Sequence, residues 1–102
     1  MVTYEVTARV EAELVAEYER YMKEKHLRDV LASGCFVDAT LERASDGAYR
    51  VRYRAKSQSD LDRYLHEHTK ALREDFLRHF PKGVELMRDA WTELAVEKHR
   101  RG

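Results

Sequence analysis

The chain reads as one α+β domain of order βαββαβ, a four-stranded antiparallel sheet with two broken helices on one face. Three observations predict that class. Apolar and polar residues alternate with period two in four separate segments, as half-buried strands require. Two longer segments carry apolar residues three and four apart, the spacing of amphipathic helices. The segments follow one another as strand, helix, strand, strand, helix, strand, which is the split βαβ arrangement called ferredoxin-like.

In the first strand Val2, Tyr4, Val6, Ala8 and Val10 alternate with Thr3, Glu5, Thr7, Arg9 and Glu11. From Ala12 the period changes, and Leu14, Val15, Tyr18, Tyr21 and Met22 fall within about a third of a helical turn. Continued as one straight helix, Leu27, Val30 and Leu31 would project to roughly the opposite side. The reversal predicts a break between Lys23 and His26, a short second helix capped by Gly34, and a strand starting at Cys35. Glycine suits the cap because it takes the positive φ that other residues avoid.

Cys35, Val37, Ala39 and Leu41 alternate with Phe36, Asp38, Thr40 and Glu42, and Tyr49, Val51, Tyr53 and Ala55 alternate with Arg50, Arg52 and Arg54. A three-residue Ser45-Asp46-Gly47 loop closing at Ala44 and Ala48 would pair these strands as a hairpin. That register sets Val51 opposite Leu41 and Tyr53 opposite Ala39, while Arg50, Arg52 and Arg54 face Glu42, Thr40 and Asp38. Ser57 or Ser59, each with an aspartate three residues on, caps the next helix. There Leu61, Tyr64, Leu65, His68, Leu72 and Phe76 share a face. Leu77 and Phe80 leave it, which predicts a second break near Glu74. The last strand is expected from Val84 to about Glu97, so that residues 1–97 make the domain and 98–102 a frayed basic tail.

The 102 residues carry 19 basic and 19 acidic side chains, so there is no net positive field to steer the protein onto nucleic acid or an anionic membrane. The lone Cys35 cannot form an internal disulfide, and the N-terminus has no apolar signal run, which reads as a cytoplasmic protein. No metal-ligand cluster, phosphate loop or nucleophile elbow is present, and nothing calls for a cofactor. The arginine row with Phe36 and Trp91 has the look of an RNA-stacking sheet. Glu5, Asp38 and Glu42 on the same face pair those arginines, so charge pairing is the better reading.

With both helices on one sheet face, the other face is left with Thr3, Glu5, Phe36, Arg50, Arg52, Met87 and Trp91. It is too apolar for comfort in water, which predicts a homodimer through Phe36, Met87, Trp91, Arg50 and Arg52. His26, at the expected helix break, can titrate near neutral pH and is the candidate acid or base. Arg52, Tyr53 and Trp91 are the candidate ligand-binding groups. Two functions fit: a small protein that binds or transforms an organic molecule in a pocket near His26, or a non-catalytic dimeric interaction module whose sheet face is the interface.

The pattern Met22-x-x-x-His26-Leu27-x-x-Val30-Leu31-x-x-Gly34-x-Phe36, with Tyr49-x-Val51-x-Tyr53, Leu61-x-x-Tyr64-Leu65 and Phe80-Pro81, resembles the small bacterial proteins of the domain of unknown function 4286 family. The resemblance covers nearly the whole chain and implies a homodimer of unassigned activity. More loosely, the His-Leu pair leading to glycine before a strand is similar to YciI-like and other dimeric α+β-barrel proteins. Their wider superfamily includes cofactor-independent monooxygenases, isomerases and haem-degrading enzymes. In that superfamily a histidine near this position sometimes belongs to the active site, and here this reaches His26 alone.

Overall fold

A computed structural model describes residues 1–44 and 47–100 and has the ferredoxin-like order. The strands β1 (Val2–Val10), β2 (Asp38–Arg43), β3 (Ala48–Ala55) and β4 (Val84–Thr92) form one antiparallel sheet in the spatial order β2-β3-β1-β4. Helices α1 (Val15–Tyr21) and α2 (Leu27–Leu31) link β1 to β2, and α3 (Gln58–Glu67) and α4 (Thr69–His79) link β3 to β4. Both pairs lie on one sheet face: Tyr18 of α1 meets Tyr49 of β3, and Tyr64 of α3 meets Tyr4 of β1. The core between the layers is rich in aromatic rings, with Tyr18, Leu61, Val30 and Val51 almost wholly buried.

The hairpin has the expected register, with Leu41 opposite Val51, Thr40 opposite Arg52 and Asp38 opposite Arg54. Ala44 N–H donates to the Ala48 carbonyl at 2.8 Å, and Gly47 has φ of 77°. Ser45 and Asp46 of the expected loop lie outside the described residues. Ser57 is the cap of α3, its hydroxyl accepting from Asp60 N–H at 3.2 Å. Gly34 closes α2 with φ of 76°, and its N–H donates to the Leu31 carbonyl.

Four expectations are corrected. The first helix does not break between Lys23 and His26. Met22–His26 form a π turn between α1 and α2, and helical backbone runs through it. The extra residue in that turn rotates the following segment and puts Val30 in the core without interrupting the helix. The second strand starts at Asp38, not Cys35. Cys35 and Phe36 come up from the α2 cap beneath the sheet, so both are buried, and Val37 is exposed instead. Phe36 packs on Tyr64 (4.8 Å) and Tyr53 (5.4 Å) and has no place on the outer sheet face.

The second helical segment breaks at His68, where φ is −119°, not near Glu74. There the Thr69 hydroxyl donates to the Leu65 carbonyl, a local bond that competes with the helical ladder. The redirected α4 then buries Phe76, and Phe80 at its end, leaving Leu65 and Leu77 exposed. Finally, β4 ends at Thr92 because its partner β1 runs out: the last ladder bond is Glu93 N–H to the Met1 carbonyl. Leu94 and Val96, inside the expected strand range, are exposed beyond it.

Candidate functional site

A narrow cavity of about 40 Å³ lies between the sheet and the helices. Tyr4, Tyr53, Tyr64 and Phe76 form aromatic walls, and His26, Arg73 and Arg88 bring the polar atoms. Space of that size admits a few water-sized groups, at ~10–15 Å³ or more each. A larger concavity of about 640 Å³ opens on the opposite face near the β2–β3 hairpin. It is a broad groove among paired charges such as Arg50–Glu42 (3.0 Å), and none of the four expected site residues lines it.

The four expected residues divide between the two sheet faces. His26 and Tyr53 meet at the narrow cavity. Arg52 stands opposite Glu5, and Trp91 opposite Thr3, both on the outer face. Arg52 reaches Glu42 at 3.1 Å, while its buried Nε has no acceptor among the described residues. A single chain therefore does not bring Arg52 or Trp91 to His26.

The π turn builds the surroundings of His26. Residues five apart on a regular α-helix point about 140° away from each other. The i→i+5 bonding of a π turn makes them neighbours, and here the Tyr21 and His26 rings stack at 5.4 Å between centroids. The Tyr21 hydroxyl donates its one proton to Asp75 Oδ2 at 2.7 Å. Its oxygen lies 3.3 Å from His26 Nδ1, so the phenol accepts there and Nδ1 carries the imidazole hydrogen. Nε2 is then the basic nitrogen. Among the described residues it has no hydrogen-bond partner and it is not one of the sealed polar atoms, and the ring it belongs to lines the cavity.

The electrostatics hold this arrangement. Burial pushes the His26 pKa down to about 4, outweighing the upward pull of Asp29 and Asp75, so the ring is neutral at physiological pH. Asp75 is held at about 2, first by the Tyr21 hydrogen bond and then by Lys25, whose Nζ lies 3.0 Å from Oδ2. Burial and the same carboxylate raise the Tyr21 pKa, which keeps that phenol a donor. Lys25 also bonds Asp29 at 2.6 Å, and Arg78 holds the other Asp75 oxygen at 3.2 Å.

Tyr21, Asp75, Arg73 and Arg88 were not found by sequence reasoning. The five-residue step from Tyr21 to His26 across the reversing helix face was the one local signal. Asp75 lies 54 residues from Tyr21 and left no signal in the chain. Among the described residues, no three His, Cys, Asp or Glu side chains converge to hold a metal ion, and no helix is long and apolar enough to cross a membrane.

The family model for a domain of unknown function, DUF4286, matches residues 1–94. No curated protein matches the chain. Among solved structures, SnoaB, a cofactor-independent oxygenase from Streptomyces nogalater, superposes with a TM-score of 0.74 at 18% identity, covering 93% of this chain and 94% of that one. HapK from Hahella chejuensis superposes with a TM-score of 0.73 at 14% identity, covering 98% and 99%. At such identities the likeness is one of fold.

Proposed function

We propose, on the premise that the chain belongs to the DUF4286 family, that it binds a small organic molecule in the cavity at His26 and accepts a hydrogen bond or a proton from it. The carrying observation is a neutral imidazole that lines the cavity and is fixed by Tyr21 and Asp75 in the tautomer that makes Nε2 the basic nitrogen. An unprotonated, oriented nitrogen beside aromatic walls is what a general base or a ligand anchor requires. Tyr53 forms part of the wall against which the ligand packs. The fold shared with a cofactor-independent oxygenase supports a site that works through side chains alone.

The test is a fragment screen by NMR at neutral pH. Binding fragments are expected to shift the His26 and Tyr53 ring resonances together, and His26→Ala should lose the affinity with the fold intact. A screen in which no fragment moves either ring would remove the reading.

A second reading concerns the opposite face, where Met87 and Trp91 are 70% and 56% exposed beside the Arg50 and Arg52 ion pairs. Apolar groups among satisfied charges favour a homodimer through that face, formed by Met87, Trp91, Arg50 and Arg52. If the cavity takes no ligand, this face makes the protein a dimeric interaction module.

A further inference from the structure

We infer that the ligand is a short organic acid whose carboxylate is held between Arg73 and Arg88; the inference rests on the cavity at His26 being the binding site. Arg73 comes from α4 and Arg88 from β4, so the two guanidinium groups reach the cavity from the helical layer and from the sheet. Both line the same cavity, and Arg73 Nη2 donates to the Tyr4 hydroxyl at 3.4 Å.

Among the described residues no carboxylate lines the cavity, and neither arginine has an acidic partner within 4.0 Å. Arg43, Arg50, Arg52, Arg54, Arg63 and Arg78 each have one. Asp75, the acid that Tyr21 links to His26, has its oxygens taken by Tyr21, Lys25 and Arg78. The two exposed arginines therefore set positive charge at the rim of the cavity with no carboxylate among its lining residues, the arrangement that favours an anion. Arginine pairs hold carboxylates in a planar, directional manner.

The other end of the ligand is also specified. A neutral His26 offers a lone pair, which repels a carboxylate oxygen and accepts from a hydroxyl. The matching molecule carries its charge at the arginines and a donor group toward His26. With about 40 Å³ available, the part that enters is a few atoms long. A short hydroxy acid meets all three conditions.

Glycolate and its uncharged isostere glycolamide are the probes, titrated at constant ionic strength and followed by NMR. Glycolate is expected to shift the Arg73 and Arg88 side-chain N–H, Tyr64 and His26 resonances with at least ten-fold higher affinity than glycolamide. Arg73→Gln alone should reduce that preference several-fold, and Arg73→Gln with Arg88→Gln should abolish it. Equal affinity for the two probes at the cavity would overturn the anion inference and leave the cavity reading standing. Shifts spread over surface arginines such as Arg20 and Arg28 would also overturn it, as unspecific ion binding. If neither probe moves a cavity resonance, the acid is excluded, and the fragment screen then decides whether the site exists.

Discussion

His26 is neutral because it is desolvated, and that has a cost in acid. Its folded pKa of about 4 lies below the ordinary 6.5. The unfolded chain therefore binds a proton that the folded chain refuses. The neutral ring's advantage is complete above about pH 6.5 and is lost as the pH falls toward 4. At ~1.4 kcal/mol per pKa unit, this one residue removes about 2 kcal/mol of stability between pH 7 and pH 4.5. Asp75 acts in a lower window, because its depressed pKa puts its loss below pH 3.8. Urea unfolding of wild type and His26→Phe at the two pH values separates the effects. The variant should lose about 2 kcal/mol less than wild type on acidification, and equal losses would mean the ring is solvated. The sequence located this histidine through the reversal of the helix face, but its partners depend on a contact between helices 50 residues apart, beyond what local patterning records.

The π turn is the element that makes the site, and it also shows where pattern reading succeeds and fails. The apolar reversal after Met22 was plain in the sequence, yet two backbone solutions satisfy it, a break or one extra residue in a turn. Periodicity cannot choose between them. The hairpin register, by contrast, follows from side-chain pairing alone, since a one-residue slip would set Leu41 against Arg52. Strand ends failed for a third reason: β4 stops where β1 stops, a property of the partner strand. If the π turn is one inserted residue, deleting exposed Glu24 restores a regular helix with Tyr21 and His26 four apart and still adjacent. That deletion should cost less than about 1 kcal/mol and preserve the Tyr21–His26 ring contact by NMR. Deleting exposed Arg28 instead rotates Val30, which is 0% exposed, out of the core and should cost about 2 kcal/mol or more. Equal costs would show that the turn has no spare residue to give.

The whole molecule is a two-layer slab with a shortest extent of 21 Å, room for one sheet and one layer of helices. The sheet is therefore covered on one side only. The uncovered side carries acids on β2, arginines on β3 and the exposed Met87 and Trp91 on β4. The salt bridges there satisfy most of its charge within one chain, so the driving force for association falls to the apolar pair. A two-fold arrangement would bury the Met87 and Trp91 of both copies against the same patch, as isologous interfaces require. Phe36, which the alternating pattern had assigned to this face, lies in the core and contributes nothing to it. Light scattering at micromolar concentration should give twice the chain mass of 12.1 kDa. Trp91→Glu, a change at a 56% exposed site that costs the fold little, should return the mass to one chain with the melting curve nearly unchanged at low concentration. A wild-type mass of one chain would sink the interface. A Trp91→Glu dimer as tight as wild type would move it to another surface, with the apolar residues beyond Thr92 the next to test.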